Sequence, residues 1–253
     1  MATIQSETGR IRIFEDFEGA ECPVADTLSP QTIGKLRLCG ETIADADVGA
    51  TSQEADPCLN GVLRLTTSDE DNHSICLTTA KIFTPSLNGT MIAECRVQFD
   101  DLDTKEFFFG FSDENDDDQG CEGDLIHGAT TVLTLTGSDL CGFLLSSELT
   151  EDEMWHMPYN GGTTTGIVLS TTVESGIDAV AAEYDILRVE IDPNGTARWY
   201  INGVLEQTVE GAVSVTATDL FAGQAIIEVK GTAAAETADM DFMLVDAARD
   251  WTK

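Results

Sequence analysis

Lysine and arginine are scarce in this sequence of 253 residues. The sequence contains 13 lysines and arginines but 46 aspartates and glutamates, which gives a formal net charge of −33 at pH 7. The basic residues are scattered and form no cluster. Because a field of this sign repels phosphate backbones and anionic lipid, the charge argues against nucleic acid and membrane surfaces as partners.

Long apolar runs are also missing. Nowhere do about 18 uncharged apolar residues follow one another, so the sequence predicts no transmembrane helix. Residues 1–10 are polar and lack the basic leader and apolar core of a signal peptide, so we expect synthesis in the cytoplasm without export. We expect them to form a polar arm and residues 11–253 to form a single domain, because 42% hydrophobic residues is too many for a disordered acidic chain.

The common catalytic motifs are absent as well. The sequence contains no GxSxG, HExxH, GxxxxGKS/T or GxGxxG, the motifs of serine hydrolases, zinc proteases, P-loop enzymes and dinucleotide-binding enzymes. Its 3 histidines, His73, His127 and His156, stand beside no serine or cysteine motif. We therefore predict no catalytic residue, no required cofactor and no enzymatic activity.

The cysteine pattern argues against a disulfide framework. The 7 cysteines are odd in number, and no CxxC pair occurs. Cys95 and Cys141 each fall on the apolar side of a strand-like run. We expect free, buried thiols that pack as small hydrophobic side chains.

Apolar and polar residues alternate with a period of two along much of the chain. Between Met91 and Phe99 the odd positions are apolar and the even ones mostly polar, which is typical of a strand with one face on a core. The same alternation recurs from Leu187 to Asp192 and from Ala238 to Leu244. Shorter strands are expected at Ile33 to Leu38 and Gly61 to Thr67, on either side of an acidic surface loop.

Turn residues divide the best of these runs into hairpins. Asp192 to Gly195 separates two alternating segments, and Asn202 with Gly203 separates the second from a third. Asn-Gly accepts positive φ at both central turn positions, which favours a tight hairpin. The sequence therefore predicts an all-β, two-sheet antiparallel sandwich.

One acidic cluster raises an enzymatic alternative. Glu151 and Glu153 lie two residues apart beside Trp155, and two carboxylates on one side of a strand are the groups that retaining glycosidases use. The surrounding residues, however, have the composition of a turn between two apolar runs. A solvated acidic turn is the favoured interpretation, and a β-glucan hydrolase is the alternative.

A second acidic stretch has part of the spacing of a calcium loop. Asp113, Asn115, Asp117 and Asp124 fit positions 1, 3, 5 and 12 of such a loop. Asp118 stands where the EF-hand turn needs glycine, which excludes a true EF-hand. A looser calcium site and a solvated acidic loop remain the two interpretations.

Several segments, in their order along the chain, resemble a known family. The run Tyr184 to Glu206, followed by Ala225 to Lys230 and Met240 to Val245, resembles the C-terminal half of concanavalin A-like, laminin-G-type jelly-roll proteins, in particular those of tailed-bacteriophage virions. The other similar segments are Ile13 to Glu18, Phe108 to Asp113, Cys141 to Leu145 and Met154 to His156.

The resemblance implies a jelly-roll sandwich, a fold whose family members include lectins, carbohydrate-binding modules, glucanases and capsid decoration proteins. Together with the lack of catalytic motifs, it leads us to expect a virion protein without enzymatic activity. The expected function is capsid decoration: the chain would sit on the capsid surface of a tailed phage, bind the major capsid protein as a homo-oligomer, and stabilise the shell. The resemblance also implies an alternative, a lectin-like module or adhesin that binds a glycan through Trp155 and Tyr159 with a loop calcium. The Glu-x-Asp-x-x-Glu motif of the family's glucanases is absent from the sequence.

Overall fold

The structure is a computed structural model that describes residues 9–17, 31–40, 49–52, 61–231 and 234–249. These residues form β-strands with one short helix, α1 (Pro85–Asn88), and one 3-10 helix (Ser170–Thr172). No helix among them is long and apolar enough to cross a bilayer. The strands in chain order are β1 (Arg10–Glu15), β2 (Gln31–Ile33), β3 (Leu36–Cys39), β4 (Gly49–Ser52), β5 (Leu63–Thr66), β6 (Ser74–Thr78), β7 (Met91–Gln98), β8 (Lys105–Ser112), β9 (Ile126–Ala129), β10 (Val132–Leu135), β11 (Leu140–Ser146), β12 (Met154–His156), β13 (Tyr159–Asn160), β14 (Glu174–Asp178), β15 (Asp185–Ile191), β16 (Ala197–Ile201), β17 (Val204–Val209), β18 (Ala222–Val229) and β19 (Thr237–Ala248).

Most strands belong to two large antiparallel sheets. The first sheet has the order β17-β16-β15-β7-β19-β5-β4, with β1 also paired to β19. The second sheet has the order β14-β12-β11-β8-β18-β6-β3-β2, with β13 also paired to β11. Strands β9 and β10 form a separate hairpin. The predicted two-sheet antiparallel sandwich is confirmed.

The two sheets differ in how they are buried. In β7 every second residue is buried and the others are half-buried, because only one face of the first sheet lies on the core. In the second sheet, β8, β11 and β18 are buried along their whole length. The second sheet therefore has protein on both of its faces.

Aromatic rings fill the space between the sheets. Phe99, Phe107, Phe143 and Trp155 pack with ring centroids 5.1 to 6.3 Å apart. Each is at most 3% exposed. Large rings in edge-to-face and tilted contacts bury much apolar area, so this cluster is a major source of stability.

The other face of the second sheet is covered by the chain's own residues 113–139, which we call the cover segment. Its Leu125 and Ile126 are fully buried. The hydroxyl of Ser74 in β6 donates to the carbonyl of Gln119 at 2.9 Å. The structure thus has three layers: the first sheet, the second sheet and the cover segment.

The predicted hairpins are present, whereas the N-terminal strands differ from expectation. Asn202 and Gly203 have φ values of 51° and 81° at the turn between β16 and β17. The predicted strand Ile33 to Leu38 is instead the centre of a hairpin, β2-β3, since Gly34 turns the chain with φ of 58°. Strand β4 interrupts the expected acidic loop.

The cysteine prediction holds for the residues that the structure describes. Cys39, Cys76, Cys95, Cys121 and Cys141 are free and buried. Cys22 and Cys58 lie outside the described residues, as do residues 1–8 of the expected polar arm. Arg10, the last residue of that arm, is already the first residue of β1.

Candidate functional site

Two buried glutamates lie side by side on the covered face of the second sheet. Glu106 of β8 and Glu228 of β18 are direct register partners across the two strands. Both are 0% exposed. Because side chains alternate along a strand, Glu106 points away from the aromatic core that holds its neighbour Phe107. Two carboxylates are therefore buried together under the cover segment.

Backbone amides of the cover segment bind these carboxylates. The amide of Gly128 donates to Glu106 Oε1 at 2.9 Å. The amides of Cys121 and Glu122 donate to Glu228 Oε2 at 2.5 and 3.2 Å. A Cβ on residue 128 would lie 2.7 Å from Leu149 Cγ, so glycine permits this close approach of backbone to Glu106.

Lys230 supplies the positive charge in this cluster. Its Nζ lies 2.5 Å from Glu228 Oε1, 2.7 Å from Glu122 Oε2 and 3.4 Å from Glu106 Oε2. Burial lowers the pKa of Lys230, but Glu106 and Glu228 outweigh it and raise that pKa overall. Burial raises the pKa of Glu228 to about 7 in spite of the lysine. Lys230 is therefore firmly protonated, and Glu228 titrates near neutral pH.

His127 of β9 lies above the buried carboxylates. Its Nδ1 is 3.5 Å from Glu106 Oε2, 3.8 Å from Glu122 Oε2 and 3.6 Å from Glu148 Oε2. Neither His127 Nδ1 nor Glu106 Oε2 has a hydrogen-bond partner among the described residues. Proximity to Glu106 raises the pKa of His127.

These groups could bind a cation. Glu122, His127 and Glu148 each place a ligand atom within 4.8 Å of the others, and they are the only such trio among the described residues. The side chains of Glu122 and Glu148 are 40% and 45% exposed, so the trio is open to solvent. An imidazole with carboxylates is a donor set suited to divalent metal ions.

The four residues of the predicted calcium loop lie in the cover segment, where their polar groups have other partners. Asp113 Oδ1 accepts from the amide of Asp139 at 2.9 Å, and Asp124 Oδ2 accepts from the amide of Gly120 at 2.9 Å. Asp117 forms an ion pair with Arg37. The Asn115 side-chain amide donates to a backbone carbonyl at 3.2 Å. Within the described part of the chain, the trio at His127 gathers metal-ligand groups instead.

The predicted sugar-stacking residues are not exposed, which corrects that expectation. Trp155 is 0% exposed in the aromatic core, and its Nε1 donates to Asp185 Oδ2 at 2.9 Å. Tyr159 is 5% exposed and packs against Trp199. Neither ring presents a free face to a ligand. Glu151 and Glu153 lie in an exposed turn, the interpretation favoured from sequence.

The sequence interpretation missed the cluster of Glu106, Glu228 and Lys230. A signal was available, since Lys105 and Glu106 open a strongly apolar strand, and Glu228 and Lys230 flank a valine at the end of another. Charged residues in such runs are rarely buried unless they are paired. The sequence alone does not show that these two strands are neighbours.

The fold is that of the concanavalin A-like jelly-roll proteins. No protein-family model and no curated protein sequence matches the chain. Among solved structures, the protein of unknown function SO2946 from Shewanella oneidensis MR-1 is 10% identical, with 97% of this chain and 90% of that chain covered and a TM-score of 0.62. The endo-β-1,3-glucanase from Pyrococcus furiosus is 15% identical, with 93% of each chain covered and a TM-score of 0.55. The potassium-bound Emp46p carbohydrate recognition domain is 12% identical, with 83% and 88% covered and a TM-score of 0.50.

The prediction that this chain is not an enzyme is contradicted by these comparisons. The fold that it shares also forms the P. furiosus glucanase, so missing sequence motifs do not exclude catalysis on this scaffold. At these identities the likeness shows the fold alone.

Proposed function

We propose that this chain is a capsid-surface decoration protein of a tailed phage that binds the major capsid protein. The proposal rests on the resemblance to virion proteins and on one structural observation, the three-layered body. With the cover segment over the second sheet, three central strands are buried on both faces.

A body of this kind suits a mechanical role. Close-packed interiors have low compressibility and transmit strain, so a chain bound across capsomer junctions would resist their separation under internal pressure. Buried interface with the capsid protein would supply the binding free energy. The negative charge of the outward surface would keep neighbouring particles apart.

Quantitative mass spectrometry of particles purified from the source tests this proposal. We expect the chain at a copy number comparable with that of the major capsid protein. Particles that carry it should also release their genome at a higher temperature than particles that lack it, and adding purified chain should restore the difference. Absence from purified particles would overturn the proposal.

A second candidate is cation-dependent glycan binding, the role of a lectin-like module. The observation that favours it is the trio Glu122, His127 and Glu148, which lies beside the buried Glu106 Oε2, an atom that accepts no hydrogen bond from the described residues. A metal ion held there would present open coordination positions to sugar hydroxyls, since Glu122 and Glu148 are partly exposed.

A glycan array read with calcium, manganese or zinc, and again with a chelator, tests this second candidate. We expect binding that the chelator abolishes and that Glu148→Gln weakens, while Glu151→Gln in the exposed turn leaves it unchanged. Absence of binding, or binding insensitive to both changes, would count against it.

A further inference from the structure

Long stretches without charged residues occur at residues 82–93, 125–138 and 154–173 of this acidic chain. Residues 128–138 and 154–173 belong to the second and third of these stretches. Charged residues make up 23% of the chain, so these 31 positions would carry about seven at the average frequency. Residues 155–159 are buried, which accounts for part of the missing charge, whereas residues 160–172, apart from Ser170, are exposed or half-buried.

The fold brings the second and third stretches together. The amide of Leu133 donates to the carbonyl of Val168 at 2.9 Å, and the amide of Ser170 donates to the carbonyl of Thr131 at 3.1 Å. Val132 and Leu169 form an antiparallel bridge. Residues 131–133 and 168–170 therefore lie edge to edge.

These two segments also expose apolar side chains. Val132, Val168 and Leu169 are 48%, 58% and 47% exposed, and they adjoin one another across the bridge. We call these three residues, with the exposed Thr130, Thr134, Thr171 and Thr172 around them, the neutral patch. Contiguous exposed apolar groups with a polar rim are typical of protein interaction sites.

We propose that the neutral patch is the surface through which copies of this chain associate with one another. A basic partner would find carboxylates over the rest of the surface and would not need a charge-free face. A partner with the same strong negative charge does need one, because like charges brought together across an interface repel and are costly to desolvate. A second copy of the chain is such a partner, and this inference holds whether or not the chain binds a capsid.

Sedimentation equilibrium of the full chain tests the proposal. We expect a concentration-dependent oligomer at 0.15 M NaCl whose association tightens as salt screens the net charge. Val168→Asp with Leu169→Asp should weaken association at least about tenfold, since it places like charges at the contact.

The matched control is Val204→Asp with Leu205→Asp. These residues are 59% and 50% exposed on β17, away from the neutral patch, and their replacement adds the same two charges. The control should leave association unchanged, and circular dichroism should show that both variants are folded.

Three results would overturn the proposal. The first is that the wild-type chain stays monomeric at every soluble concentration, and the second is that the control variant weakens self-association as much as the test variant does. The third is that a different protein covers the neutral patch while the chain remains monomeric.

Discussion

The indole Nε1 of Trp199 donates a hydrogen bond of 2.7 Å to the backbone carbonyl of Gly142. Trp199 belongs to β16 in the first sheet and Gly142 to β11 in the second, so the bond joins the two sheets through the core. A Cβ on residue 142 would lie 2.3 Å from the carbonyl oxygen of Phe109, so the strands can pair closely here only because residue 142 is glycine.

Replacing Trp199 by Phe should destabilise the chain by about 2 to 4 kcal/mol. The substitution removes the donor from a buried carbonyl and leaves a cavity in a close-packed core. The free energy of unfolding from urea denaturation measures the effect. Tyr200→Phe, one residue away on the solvent side of β16, should change it by less than about 0.5 kcal/mol. Similar losses in both variants would contradict the prediction.

Stability should fall as the pH rises from 5 to 8. The pKa of Glu228 in the folded chain is raised to about 7, whereas a glutamate in an unfolded chain has a pKa of about 4.3. The contribution of Glu228 to the free energy of unfolding is therefore fully present below about pH 4.3 and is lost as the pH rises through 7. The raised pKa of His127 also makes the folded chain less stable as the pH rises above about 6.5. Glu228 alone should lower the free energy of unfolding by on the order of 3 kcal/mol between pH 5 and pH 8.

Denaturation at several pH values tests this prediction in the wild type and in Glu228→Gln. The glutamine does not titrate, so the pH dependence should be much flatter in that variant. Glu153→Gln, in an exposed turn, should keep the wild-type dependence. Identical pH profiles for wild type and Glu228→Gln would refute the assignment.

The melting temperature should rise with NaCl. With 46 acidic residues against 13 basic ones, repulsion within the folded chain lowers its stability, and salt shortens the range of that repulsion. Each ~1 kcal/mol of relief should raise the melting temperature by about 2 to 4 °C in a chain of this size. Calorimetry from dilute to molar NaCl measures the effect, and KCl should match NaCl if screening is the cause. A flat response would contradict the prediction.

The described thiols should be unreactive in the folded chain. Burial raises the pKa of Cys76, Cys95, Cys121 and Cys141 well above the ordinary value. A hydrogen bond from Cys76 lowers the pKa of Cys39, so Cys39 should react first when the fold opens.

A thiol-reagent titration of a Cys22→Ser, Cys58→Ser variant checks this, because only the five described cysteines remain. We expect no reaction in buffer and complete reaction in guanidinium. Rapid labelling of the native variant would show that the thiols are accessible.

Much of the fold could be predicted from local sequence patterns. Alternation from Met91 to Phe99 gave the correct core face of β7, because burial of one face repeats every second residue. The Asn202-Gly203 pair gave a hairpin, because positive φ at both positions is a local property. Ile33 to Leu38 failed as a strand because Gly34 was not recognised as a turn.

The candidate site could not be predicted from local sequence patterns, because its residues are far apart along the chain. Lys230 and Glu122 meet although 108 residues separate them along the chain. Asp113 to Asp124 had a recognisable spacing, but spacing along a loop does not decide whether side chains converge. The glycan-binding alternative required an exposed Trp155, yet its ring packs with three others in the core.

By itself, the sequence determined the long alternating strands, the turns at Asp192 to Gly195 and Asn202-Gly203, the burial of the thiols and the strong negative charge, since each depends on composition or on near neighbours. Only the tertiary structure decided that Glu106 lies beside Glu228 and that residues 128–138 join residues 154–173. A period of two shows which residues share a face of a strand, but not which strands lie side by side. Strand order and register are set by long-range packing, and they create both the buried acidic cluster and the neutral patch.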